Sequence, residues 1–184
     1  KITFFNKKYL NVISVGRLTD QKDHLTLLKS VKELKSNFKI KVIIIGKGNT
    51  KEILKKYIND NNLQNKIKLF GYTNNPFPYI LKADIVVLTS KFEGLPNILL
   101  EAQYLKKYII STDCPTGPKE ILLNGKAGDL IKIGDYKKLS LLIKSYSNRK
   151  KSIFTKINIG YKKFYRFDYN LNCKKYLNFI NKNY

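Results

Sequence analysis

Two runs, Val42-Ile43-Ile44-Ile45 and Ile85-Val86-Val87-Leu88, limit what this chain can fold into more than any other feature. Each is apolar throughout and mostly β-branched, so each reads as a strand covered on both faces. A strand with one wet face would alternate apolar with polar residues. Strands buried on both sides belong to parallel sheets whose connections are helices, and stretches of helical period do separate the apolar runs here. Strands are predicted at residues 11–15, 41–45, 66–70, 84–88 and 108–111, with a weaker one near 128–131. Helices are predicted at 24–37, 50–61, 78–82, 97–106 and 136–147. The expected fold is α/β, a doubly wound parallel sheet.

The 184 residues suit one domain. No apolar run approaches the roughly 20 residues of a membrane helix. The chain opens at Lys1 without the apolar core of a signal peptide, so a piece of a longer protein is expected. From 149 to 184 it turns basic and aromatic, and 169–181 has helical spacing with Leu171, Tyr176, Leu177 and Ile180 as expected buried positions. That segment reads as a terminal helix packing on the domain or on a neighbour.

The formal charge is +23, from 36 basic and 13 acidic residues, and all the basic ones except Arg17, Arg149 and Arg166 are Lys. Such an excess attracts nucleic acid or anionic lipid headgroups, or follows from a bias toward Lys, Asn, Ile and Tyr. Nucleic-acid binding favours Arg and exposed aromatics in one stripe, whereas these lysines are spread over every polar helix face. No nucleic-acid partner is expected on that ground. Cys114 and Cys173 suit a reduced cytoplasmic protein, and with His24 as the single histidine no metal site is expected.

In a doubly wound sheet ligands sit beyond the carboxyl ends of the strands. The loop after the first strand carries Gly16-Arg17-Leu18 and then Lys22, a planar fork and a point charge suited to a diphosphate. Gly46-Lys47-Gly48 lacks both glycine-rich phosphate-loop patterns, so its glycines read as room for close backbone approach to a ligand. Glu93-Gly94-Leu95-Pro96-Asn97-Ile98-Leu99-Leu100-Glu101 places two carboxylates eight residues apart around a turn that opens a helix. Asn97 is the expected N-cap, and the free N–H groups beyond it suit an anion. The carboxylates of Glu93 and Glu101 can accept from sugar hydroxyls at one end and a ribose at the other.

Arg17 with Lys22, Glu93 to Asn97 with Glu101, and Thr112-Asp113-Cys114-Pro115-Thr116-Gly117-Pro118-Lys119-Glu120-Ile121-Leu122 together resemble the nucleotide-sugar-binding, C-terminal half of the retaining glycosyltransferases of family 4, which have the two-domain, Rossmann-like GT-B fold. The resemblance runs from about residue 12 to 142. It implies that Arg17 and Lys22 hold the donor diphosphate and that Glu101 binds the ribose. It also implies that Glu93 with the N–H groups of Gly94 and Leu95 meets the transferred hexose. Asn97, Ile98 and Leu99 would offer N–H groups to the distal phosphate, and the backbone near Tyr72 would edge the base. It implies a nucleotide sugar, UDP-linked by family frequency, as substrate rather than a cofactor. The acceptor would be a glycan or lipid-linked acceptor in surface polysaccharide synthesis, met at the inner face of the cytoplasmic membrane. The N-terminal acceptor domain of that family has no counterpart in the sequence, so residues 1–184 are expected to bind donor and transfer little alone.

Two other enzyme readings keep this fold. A glycan phosphorylase needs a pyridoxal phosphate lysine site, of which there is no sign, and a nucleotide-sugar epimerase needs more acid-base groups than this chain offers. A dehydrogenase would need the glycine pattern missing after the first strand. A basic nucleic-acid-binding module rests on charge alone and predicts a steep salt dependence.

Overall fold

A computed structural model describes residues 4–183. Six strands form one sheet: β1 (Leu10–Val15), β2 (Ile40–Ile45), β3 (Ile67–Gly71), β4 (Ile85–Leu88), β5 (Tyr108–Thr112) and β6 (Asp129–Ile131). All five ladders are parallel, and the spatial order is β3-β2-β1-β4-β5-β6. The expected doubly wound sheet is therefore what the chain forms. Its order reverses between β1 and β4, and the loops leaving those two strands diverge to open a crevice.

The helices, in chain order, are α1 (His24–Lys32), α2 (Lys51–Asp60), α3 (Phe77–Lys82), α4 (Asn97–Tyr104), α5 (Pro118–Ile121), α6 (Tyr136–Lys144), α7 (Lys150–Lys162) and α8 (Tyr169–Asn183). The continuous apolar strands divide their side chains between two layers. Val12, Val42, Ile44, Ile85 and Val87 pack under α1, α2 and α6 through Leu27, Leu28, Leu54, Leu139 and Ile143. Ile13, Ile43, Ile45, Val86 and Leu88 pack under α3 and α4 through Ile80, Leu99 and Ala102. A fully buried Val or Ile contributes about 1.5–3 kcal/mol, so these layers hold rigid the platform from which the loops project.

Several boundaries differ from the sequence expectation. The first helix ends at Lys32 rather than at residue 37, because the N–H of Leu34 turns back to the Val31 carbonyl at 3.2 Å and seats Leu34 in the core. Helix α7 opens the stretch from 149 to 184, which the sequence marks as a C-terminal helical tail without giving this helix its bounds. Ile153 anchors it in the core, and its Gly160 lies where a methyl would meet the Gln103 side chain at 3.1 Å. A charged cluster secures its start: Asp129 pairs with Arg149 at 2.9 Å and Lys156 at 3.0 Å, and accepts from the Tyr108 hydroxyl. Burial pushes the Asp129 carboxyl up, but the Tyr108 hydroxyl, Lys156 and Arg149 outweigh it and hold the group below the usual carboxylate range.

Helix α8 forms where its periodicity predicts, but its expected buried positions are not buried. Tyr176 and Leu177 are exposed, while Leu171 and Ile180 are half-buried, because α8 packs mainly on the 164–167 turn. Among the described residues no helix is long and apolar enough to cross a membrane.

Candidate functional site

The loop leaving β1 is built against the loop leaving β2. The Gly16 N–H donates to the Ile45 carbonyl, the Leu18 N–H to Lys47, and the Thr50 N–H returns to Leu18. A methyl at Gly46 would sit 1.9 Å from the Gly16 oxygen, and one at Gly48 would sit 2.2 Å from the Leu18 oxygen. This corrects the expectation for those glycines. The space they leave is filled by the chain's own backbone at residues 16–18, not kept for a ligand. Gly46 also donates to the Gly71 carbonyl at 2.8 Å, which brings Tyr72 to the same edge. Tyr72 is exposed there, with the Lys47 ammonium 5.0 Å from its ring centre.

His24 underpins this loop. Its Nε2 lies 3.3 Å from the Arg17 carbonyl and its Nδ1 lies 3.3 Å from Ser14 Oγ. A carbonyl can only accept, so Nε2 carries the proton and Nδ1 accepts from the Ser14 hydroxyl. Burial lowers the ring from its ordinary 6.5 to about 4, against the opposing pull of the Arg17 carbonyl. The imidazole is therefore a neutral brace.

Beyond Arg17 a short 3-10 turn, Asp20–Lys22, leads to Asp23, whose left-handed backbone and carboxylate cap α1 through Thr26. That turn aims Lys22 across the crevice. Its ammonium lies 2.5 Å from Glu93 Oε1, with the two side chains 15% and 7% exposed. The Ser90 hydroxyl donates to the same carboxylate oxygen at 2.5 Å. The two loops are stitched further by Thr89 Oγ1 to the Lys22 carbonyl, Gln21 Nε2 to the Phe92 carbonyl, and an ion pair of Lys91 with Asp20 at 2.6 Å. Arg17 is exposed, and no ion pair holds it among the described residues.

The segment from Thr112 to Leu122 supports Glu93 from behind. The Thr116 hydroxyl donates to the Glu93 carbonyl, and the Glu93 N–H donates to the Pro115 carbonyl at 3.3 Å. Gly117 has a φ of 73°, and a methyl there would meet the Gly94 oxygen at 2.1 Å. The sequence reading missed this buttressing, and His24 too. Its signal was the Thr116-Gly117 pair in the loop after β5, the strand that neighbours β4.

Asn97 is not the helix cap. Pro96, with extended backbone (φ −72°, ψ 101°), occupies that position and Asn97 is the first helical residue. The Leu99 N–H closes a turn on the Pro96 carbonyl at 2.9 Å, so of the three amides expected to meet an anion it is already committed. Those of Asn97 and Ile98 have no acceptor among the described residues. The side chains of Ile98 and Leu99 are core residues, leaving only their backbone for the crevice. Gly94 is open and Leu95 is half exposed beside Glu93. Glu101 lies half-buried one turn into α4, and burial raises its carboxyl above the usual value. Among the described residues no group of three or more His, Cys, Asp and Glu side chains gathers to hold a metal.

A cation and a carboxylate clasped across the point where strand order reverses, beside a helix start with free amides, is a site for a polar, anionic ligand. Residues 1–157 match the family described as glycosyl transferases group 1. The chain belongs to the group 1 glycosyltransferases.

It is 40% identical over 152 residues to the uncharacterized glycosyltransferase MJ1059 of Methanocaldococcus jannaschii, covering 77% of this chain and 37% of that protein. It is 30% identical over 162 residues to a 4-alpha-N-acetylgalactosaminyltransferase of Campylobacter jejuni acting on a diphospho-undecaprenol-linked sugar, covering 81% and 44%. The chain thus spans less than half the length of these relatives. Among solved structures, Anabaena HepE in complex with UDP superposes with a TM-score of 0.84 at 18% identity, over 95% of this chain and 49% of that one. Staphylococcus aureus TarM, in a complex that includes UDP, gives 0.83 at 24% identity, over 97% and 37%. This group 1 domain therefore has the fold of one Rossmann-like half of a GT-B glycosyltransferase, the C-terminal-like one.

Proposed function

We propose that this chain is the donor-binding half of a retaining, family 4 glycosyltransferase that uses a UDP-linked sugar to extend a glycan or lipid-linked acceptor in surface polysaccharide synthesis. The observation that carries the reading is the Lys22–Glu93 clasp at the switch point, next to the free amides that open α4. Relatives named for capsular polysaccharide and lipopolysaccharide core biosynthesis, and neighbours crystallised with UDP, support it.

In this reading Arg17 and Lys22 hold the diphosphate, with the N–H groups of Asn97 and Ile98 on the distal phosphate. Glu101 takes the ribose hydroxyls, and the backbone at Gly16 and Tyr72 lines the nucleoside end. Glu93, with the N–H groups of Gly94 and Leu95, meets the hexose. Negative charge develops on the departing diphosphate in the transition state, and preorganised cations and amides lower that barrier most where water is excluded. Lys22 also holds the Glu93 side chain in place, so the carboxylate faces positive charge as it develops on the sugar ring. Retention is assigned to front-face departure and attack, with no enzyme nucleophile. The acceptor site is assigned to a second half, for which the greater length of the relatives leaves room.

An epimerase would need a free acid-base pair, and the histidine is already taken up by Ser14 and Arg17. Thermal shift and calorimetric titration against UDP, GDP and their sugars test the reading. UDP should stabilise the chain in proportion to occupancy, an oligonucleotide should not displace it, and no sugar should be transferred by this chain alone. Absence of any nucleoside diphosphate binding would sink the first part, and rapid transfer by the chain alone the second.

A further inference from the structure

Glu93 meets its side-chain partners through one oxygen only. The Lys22 ammonium and the Ser90 hydroxyl both donate to Oε1, each at 2.5 Å. A carboxylate oxygen has about two lone-pair positions, so these two donors fill Oε1. Oε2 accepts no hydrogen bond among the described residues. Nor is it sealed, since the buried side-chain oxygens without a partner are those of Thr19 and Gln103. The 7% of the Glu93 side chain that solvent reaches therefore includes this second oxygen. In the next two residues, the N–H groups of Gly94 and Leu95 donate to nothing among the described residues. An acceptor followed by two donors suits a ligand that carries hydroxyls.

Ser90 cannot touch a ligand itself. It is 0% exposed, as are Thr89 before it and Thr112 at the end of β5. These three hydroxyls brace the clasp from within. Thr112 Oγ1 donates to the Ser90 carbonyl at 2.6 Å, Thr89 Oγ1 donates to the Lys22 carbonyl at 3.0 Å, and Ser90 gives its one proton to Glu93. Ser90 is thus fixed to the neighbouring strand, and from that fixed point its hydroxyl sets the rotation of the carboxylate. The last torsion of a glutamate side chain is soft and roughly two-fold. With Lys22 as its sole partner, the carboxylate would pivot about the ammonium and its free oxygen would lose a fixed direction.

We propose that Ser90 is a positioning residue for the donor sugar: together with Lys22 it occupies Oε1 of Glu93 and so holds Oε2 toward a hydroxyl of the transferred hexose. This rests on Glu93 being the hexose contact of the proposed function. The two donors then divide the work. An ammonium has three N–H groups, of which one goes to Glu93 and the others remain for phosphate, whereas the buried hydroxyl of Ser90 reaches no phosphate. Loss of Ser90 is felt at the sugar end of the donor and spares the nucleotide end.

The test is calorimetric titration of the chain with UDP and GDP and with their glucose, galactose, mannose and N-acetylhexosamine conjugates. The quantity read is the affinity for the best-bound nucleotide sugar divided by that for its bare nucleotide. Ser90→Ala should lower the affinity for the nucleotide sugar about tenfold, the effect of one hydrogen bond to a charged group. It should change the affinity for the bare nucleotide less than about twofold. In a Glu93→Ala background the same exchange should change the affinity for the nucleotide sugar less than about twofold, because the hydroxyl acts only through that carboxylate. Ser30→Ala removes an equally buried hydroxyl, bonded to the Leu27 carbonyl at 2.7 Å on α1, and should leave the ratio as it is in the parent. Equal weakening of nucleotide and nucleotide sugar by Ser90→Ala, an unmoved ratio, or a loss that persists in the Glu93→Ala background would overturn the proposal while leaving the donor reading intact. A folded parent that binds neither nucleoside diphosphate would refute the donor reading and this inference with it. Thermal unfolding of every variant checks that it is folded.

Discussion

Acidification should destabilise this fold through one imidazole. His24 is 3% exposed and sits at about 4 instead of its ordinary 6.5, so between those values the unfolded chain binds a proton that the folded chain refuses. Stability then falls as pH drops below about 6.5 and the loss is complete near about 4. At about 1.36 kcal/mol per pH unit the whole effect is about 3 kcal/mol, of which about 2 kcal/mol has been lost at about pH 5. Carboxylates also titrate in this range, so the useful quantity is a difference. Urea unfolding of the parent and of His24→Gln, which keeps an amide donor for the Arg17 carbonyl, should be followed from about pH 7 to about pH 4.5. The variant should be the weaker at neutral pH and should close most of the gap in acid. Two curves falling in parallel would mean that the histidine is not the buried neutral brace described above, and that other groups account for the acid sensitivity.

Lys22→Ala removes the cation from the Glu93 side chain and leaves only Ser90 as its partner. The expected loss is about 3 kcal/mol, partly restored in Lys22→Ala/Glu93→Gln, and a double-mutant cycle by denaturant unfolding reads the coupling. Gly117→Ala places a methyl against the Gly94 oxygen in a left-handed backbone. It should cost at least about 2 kcal/mol and weaken UDP binding at least tenfold, and calorimetry with thermal unfolding separates the two. Asp129→Asn leaves Arg149 and Lys156 without their carboxylate. A loss of about 2–3 kcal/mol is expected, with hydrogen exchange rising first in residues 150–162.

The strands were legible because unbroken Val and Ile runs have few other uses: every residue of β4 and β5 is buried. The cluster of Lys22 with Glu93 was legible because topology sends the loops after β1 and β4 to the same place. What sequence could not carry was packing between loops. Gly46 and Gly48 read as room for a ligand, and only coordinates show that another stretch of backbone lies there, as it does at Gly117. Pro96 as a cap escaped notice because it offers no side-chain acceptor, which is the feature that made Asn97 the expected choice. The bounds of helix α7 within the helical tail were not legible because its apolar stripe is narrow, with Ile153, half-buried Ile157 and Gly160 inward while Phe154 and Tyr161 point out. Its start is held by Lys156 and Arg149 on Asp129, a charge pairing that no periodicity reveals.

The contacts of Gly46 with Gly16 and of Gly117 with Gly94, closer than a methyl allows, bear on how this crevice can diverge over time. At each crossing one member, Gly46 or Gly117, admits no side chain unless its neighbour retreats, so single exchanges at those two positions are selected against even where no ligand is touched. Tyr72, Phe92 and Leu95, which are exposed around the same crevice, are instead free to drift one at a time around an inherited frame.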